Sequence, residues 1–136
     1  MYNPLESDKY TLGIESIDQQ HDRLLEMIDN LESAMSLGDS RPEVESIIER
    51  LYAFAQGHFA YEEDLMLKTD FPGFAAHQEQ HRAYLDKILE ICHRWADGGG
   101  FLIAVDLHEV MTEWATYHIL ECDQDYVKHL QEKGIT

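Results

Sequence analysis

Five of the eight histidines, His21, His58, His77, His81 and His118, are spaced so that helices could bring their imidazoles together, and the carboxylates Glu62 and Asp123 accompany them. His58 and Glu62, like His77 and His81, stand four apart, so on an α-helix each pair shares one face. Imidazole combined with carboxylate suits iron, manganese or zinc, and seven donors are too many for one tetrahedral ion. Two ions fit the donor count. If Glu62 and Asp123 each bridge, three imidazoles serve one ion and two the other. The second ion is then one ligand short once a bridging oxo or hydroxo is added, and that corner could take an external small molecule. A single interior histidine is ordinarily a satisfied core or surface side chain, so the set of seven carries this reading and no member does alone.

These donors need rods to hold them. Proline and glycine cut the chain into four long segments with helical apolar spacing, and no strand-like alternation separates them. After an irregular arm over about 1–15, helices are expected over about 16–37, 41–69, 74–97 and 101–132. Leu37-Gly38 closes the first, and Ser40-Arg41-Pro42-Glu43 has a capping residue, an early proline and a following glutamate to open the second. Asp70-Phe71-Pro72-Gly73 is turn chemistry, and Gly98-Gly99-Gly100 breaks the third helix from the fourth. Short connections make neighbours antiparallel, so the expected fold is all-α: an up-down-up-down four-helix bundle with an irregular N-terminal arm, one domain over 1–136.

Antiparallel packing converts sequence positions into heights. His21 lies 17 residues before Gly38, His58 and Glu62 lie 16 and 20 after Pro42, His81 and His77 lie 17 and 21 before Gly98, and His118 and Asp123 lie 17 and 22 after Phe101. At a rise of ~1.5 Å per residue all seven stand at one level, roughly 25 to 30 Å down the bundle. Packing alone gives histidines no reason to align across four helices, whereas a metal site requires it. His118 and Asp123 are the exception in azimuth, because a five-residue step turns ~140° in an ideal α-helix. Both face inward only if the helix widens there, so a π-bulge is expected near 118–123.

With these pieces in place the chain resembles the hemerythrins, in particular their bacterial members. The likeness runs through Tyr10, Gly13, Ile14, Ile17, Asp18 and His21, then His58, Phe59, Glu62 and Glu63, then Phe71, Pro72, Gly73, Phe74, His77 and His81, and finally Trp114, His118, Ile119, Asp123 and Tyr126. One HxxxH or HxxxE is weak; seven donors in order at these separations are a strong signal. The resemblance implies a non-haem di-iron centre in which His77, His81 and His118 hold the saturated iron, His21 and His58 the open one, and Glu62 and Asp123 bridge. It further implies that dioxygen binds at the open iron, in a pocket kept dry so that the ligand leaves again as dioxygen. Leu25, Phe59, Trp114 and Ala115 are the candidate pocket residues. The family commonly has leucine where this chain has Ala115, which would widen access for small anions such as azide and speed autoxidation. The tryptophan often found in the arm is absent here.

Composition narrows the alternatives. A net charge of −17, from 27 acidic against 10 basic residues, opposes phosphate backbones and anionic lipid, so neither nucleic acid nor membrane is an expected partner. No leader-like or membrane-spanning run is apparent, and Cys92 and Cys122 are too far apart for a CxxC pair, so a cytoplasmic chain with reduced thiols is expected. Trp114, Phe54, Phe59, Phe74, Tyr117 and Leu25 read first as core. His93, His108 and His129 read as surface or boundary residues, Glu26, Asp29 and Glu32 as a solvated face, Cys122 as a small buried thiol and an outside ligand candidate, and Tyr126 as a hydrogen-bond donor near Asp123. Glu90 with His93 mimics half of a ferritin-like motif but lacks its partners. The expected function is reversible oxygen binding without turnover, for carriage, storage or delivery, in a monomer. The alternatives are an oxygen or redox sensor acting through a protein partner, and a di-iron reductase of peroxide or nitric oxide. No output domain is expected in a chain of this length, which favours the carrier over the sensor without excluding a protein partner.

Overall fold

The computed structural model describes residues 11–36, 41–98 and 100–136, with the side chains of 120–122 excepted. The helices are α1 (Glu15–Ser36), α2 (Arg41–Lys68), α3 (Phe74–Ala96), α4 (Phe101–Glu113) and α5 (Asp123–Glu132), with a π-helical segment, Trp114–Cys122, joining α4 to α5. No strand occurs among the described residues. The arm is tied to α1 by Asp18, whose carboxylate accepts the Leu12 N–H at 2.8 Å and the Gly13 N–H at 3.1 Å. Gly13 makes the bend at φ 103°, a conformation that L side chains avoid. The expected stop at Leu37-Gly38 and the cap at Ser40 lie outside the described residues. Pro42 sits in the first turn of α2, where its missing N–H costs nothing. Asp70, at φ 55°, and Gly98, at φ 105°, supply the left-handed residues that turn the chain after α2 and α3.

Each helix runs against the next. Ser16 meets Tyr61, and one turn later on α1 Gln20 meets His58, which is earlier on α2. Arg41, at the start of α2, lies over the Trp95 ring near the end of α3, while Glu63 meets Gln78 near the other end. Arg94 on α3 pairs with Asp106 on α4. Glu32 pairs with His108 at one end of the ring and His21 approaches Asp123 at the other, so the last rod packs back on α1 and closes a four-helix bundle.

The interior has two apolar parts. One gathers Leu24, Leu31, Ile47, Leu51, Ile88, Leu107 and Met111, and reaches Phe59, Trp114 and Ala115. The other gathers Ile14, Ile17, Met66, Tyr126, Val127 and Leu130. Between them lies a layer of buried polar side chains. The fourth rod spans 101–132 with the expected widening in its middle, nine π-helical residues from Trp114 to Cys122. One expectation needs correction: Tyr117 is not core, being 55% exposed. Trp114, Ala115, His118 and Ile119 take the inward face of that segment, and Tyr117, beside His118 in sequence, is turned out by the same geometry.

Candidate metal centre

All seven expected donors are buried, none more than 5% exposed, and they form the polar layer itself. α1 delivers His21, α2 His58 and Glu62, α3 His77 and His81, and the π segment with the start of α5 delivers His118 and Asp123. The π segment is what admits the last two. The Asp123 N–H bonds to the His118 carbonyl, an i to i+5 bond that brings residues five apart onto one side. The extra residue expected near 118–123 is present, spread over a longer stretch from Trp114.

The imidazoles point their Nε2 atoms at the two carboxylates. His58 Nε2 is 3.5 Å and His81 Nε2 is 3.2 Å from Glu62 Oε1, and His21 Nε2 is 3.6 Å from Glu62 Oε2. His77 and His118 approach Asp123 Oδ1 at 2.9 and 3.1 Å, and His21 approaches Oδ2 at 3.4 Å. Glu62 and Asp123 therefore each face imidazoles on both sides. Donor atoms of Glu62, His77, His81 and His118 all lie within 4.8 Å of one another, and those of His21, His58 and Glu62 do the same, so two compact groups share Glu62.

Close approach does not make these contacts hydrogen bonds. All five Nε2 atoms and Glu62 Oε1 are buried without a hydrogen-bond partner. Each such atom costs about 1–3 kcal/mol if left unsatisfied, and their concentration at one level calls for a common partner. Metal cations held by these seven side chains would satisfy them together. The residues present thus fit a metal centre, and three of the imidazoles are in the protonation state it needs. Burial pushes the His58 and His77 pKa values down to about 4, and burial followed by the neighbouring His77 and His81 pushes His118 down to about 2, so these rings are neutral at pH 7. Burial alone would raise Glu62, but the imidazoles around it, His58 first and then His21 and His81, hold its carboxyl well below the usual carboxylate range.

A family model described as the Hemerythrin HHE cation binding domain matches residues 12–130. The chain belongs to the hemerythrin family. It is similar to the bacteriohemerythrin of Stenotrophomonas maltophilia, 32% identical over 124 residues that cover 91% of this chain and 79% of that one. That of Pseudomonas aeruginosa is 31% identical over 120 residues, 88% and 76% of the two chains. That of Clostridium acetobutylicum is 25% identical over 124 residues, 88% and 95% of the two.

Around the hemerythrin-type layer, Phe59 stacks on His81 at 4.0 Å between ring centroids and Trp114 leans on Phe59 at 4.7 Å. Ala115 is buried beside Trp114, while Leu25 is half-buried against the same core. Tyr126 is fully buried and donates a hydrogen bond to Glu62 Oε2, the carboxylate on α2. Burial, then the charges of Glu62 and Asp123, raise its pKa well above the ordinary phenol value and keep it a donor. His129 donates through Nε2 to the Thr69 carbonyl at 2.7 Å, and His108 pairs with Glu32 at 2.8 Å. Both are structural contacts away from the layer; His93 is exposed. The Cys122 side chain lies outside the described residues. Two partners of the donor set went unread in the sequence, Gln20 and Glu63. Each is the immediate neighbour of a donor, His21 or Glu62, and that adjacency on a helix was the available signal.

Proposed function

We propose that this hemerythrin-family chain binds dioxygen reversibly at two iron ions and serves oxygen carriage, storage or delivery without turnover. Glu62, shared between the two donor groups, carries this reading, because three imidazoles on one side and two on the other make an uneven pair. His77, His81 and His118 would hold one ion, His21 and His58 the other, with Glu62 and Asp123 between them. Such an iron pair supplies, when bound, the two electrons that dioxygen takes up and gives back. The chain's own part is to hold seven donors rigidly and to keep water out. Apolar side chains lie on both sides of the layer, with Phe59, Trp114, Leu25 and Ala115 on one and Ile17, Met66 and Tyr126 on the other. Exclusion of water and protons favours release of the ligand in its original form. Among the described residues no helix is long and apolar enough to cross a membrane.

The test is metal analysis together with the visible spectrum of the anaerobically reduced, iron-loaded protein before air, after air, and after oxygen is removed. Two irons per chain and a charge-transfer band that appears with air and disappears on removal are the expected results. A chain that takes no iron, or a band that never reverses, refutes the proposal. Multiple turnovers of peroxide or nitric oxide with a reductant would make the protein a reductase instead.

A further inference from the structure

The two donor groups are backed differently from outside. On α2, Glu62 points into the layer and its neighbour Glu63, a turn of about 100° away, points at the seam with α3. There Glu63 Oε2 accepts the Nδ1–H of His81 at 2.8 Å, and its other oxygen accepts from Gln78 Nε2 at 3.0 Å. On α1 the same arrangement recurs with an amide. His21 points in, and its neighbour Gln20 lies at the seam with α2, its Oε1 2.5 Å from His58 Nδ1. The Nδ1 atoms of His21 and His118 are buried with no hydrogen bond, so they have no such backing.

A carboxylate can only accept, so Glu63 requires the His81 proton on Nδ1 and leaves Nε2 as a lone pair. The Gln20 oxygen does the same for His58. The two backings differ in charge: a carboxylate behind an imidazole makes it a stronger donor than an amide does, because the negative charge stabilises the positive charge drawn onto the ring. We propose that Glu63 and Gln20 are positioning residues that fix the donor tautomers of His81 and His58, and that the carboxylate behind His81 makes the three-histidine half hold its ion more tightly than the amide-backed two-histidine half. This rests on the two-metal reading above. Gln78 holds Glu63 in place, and Glu63, whose side chain is only 20% exposed, keeps its charge close to the ring. The half with the weaker grip is also the half with fewer imidazoles.

Two measurements test this. In the metal-free protein, nitrogen chemical shifts of the histidines read tautomers directly. His81 and His58 are expected as Nδ1–H forms, and Glu63→Leu is expected to turn His81 alone into a mixture. An Nε2–H form at either ring in the unsubstituted protein overturns the assignment. For affinity, the probe is cobalt(II), titrated against a competing chelator and followed by its visible bands. Two resolved steps are expected. Glu63→Gln, nearly isosteric, should weaken the tighter step by about 10 to 100-fold and leave the other within about threefold, and Gln20→Glu should strengthen the weaker step. Equal weakening of both steps by Glu63→Gln, or no weakening, overturns the ranking. Uptake of fewer than two cobalt ions by the unsubstituted chain would remove the two-metal reading, while the tautomers of the metal-free protein would still decide the positioning roles.

Discussion

The metal-free protein should lose stability as the pH falls from about 6.5 toward 4. His58 is 3% exposed, and its folded pKa is lowered from 6.5 to about 4. An unfolded chain therefore takes a proton on this ring over that window while the folded chain does not, and protons favour the unfolded state. The loss begins near 6.5, grows as the pH falls, and is complete below the folded value. At about 1.4 kcal/mol per unit, the His58 displacement alone is worth about 3 kcal/mol. His77 acts in the same direction over the same window, and His118, lowered to about 2, extends the loss further down. The contributions are not additive, since each ring that protonates raises the cost for its neighbours. Glu62 has the same sign at lower pH, because a carboxylate held below its usual range stabilises the fold until the pH falls through the folded value. Against a total stability of about 5–15 kcal/mol, this is a large fraction. Urea midpoints of metal-free protein measured from pH 7 to 4.5 should fall steeply below 6.5, and His58→Leu should flatten part of the slope. A midpoint constant across that range would refute the reasoning. Loading with metal should hold the midpoint flat to lower pH, because protons must then displace ions.

Three substitutions extend the account. Tyr126→Phe removes the donor to a buried carboxylate, so metal-free protein should lose about 1.5–3 kcal/mol in urea denaturation, and no loss would show that the Tyr126 to Glu62 bond does not stabilise the fold. Ala115→Leu adds bulk at a buried position beside Trp114; it should slow autoxidation of the oxygenated protein, and a rate unchanged or accelerated would count against access at this point. Trp114→Ala empties the space against Phe59 and should cost about 3–5 kcal/mol by thermal or urea unfolding, whereas a cost below 1 kcal/mol would contradict its place at the centre of the core.

Much of the layer was legible because its determinants are local. Pro72, Gly73 and Gly98 punctuate the rods, and rise per residue then places His21, His58, His77, His81 and His118 at one height. The five-residue step from His118 to Asp123 announces a local widening, since an α-helix cannot aim both inward; that the widening already begins at Trp114 is not encoded in that spacing. Tyr117 shows the consequence: an aromatic at roughly helical spacing looks like core, and within the π segment it lies outward. Glu63 and Gln20 escaped because an acid or amide beside a donor looks like any surface residue until the seam it faces is known. Tyr126 is legible as a donor at the Asp123 end of the layer, but that its acceptor is Glu62 on another helix depends on packing between helices, which spacing along one helix does not give.

The most direct measurement is an anomalous difference map, collected at the iron edge, from crystals of the iron-loaded protein. Two peaks within the layer, one beside His77, His81 and His118 and one beside His21 and His58, with Glu62 and Asp123 between them, are predicted. A single peak, or none among these seven side chains, would contradict the account.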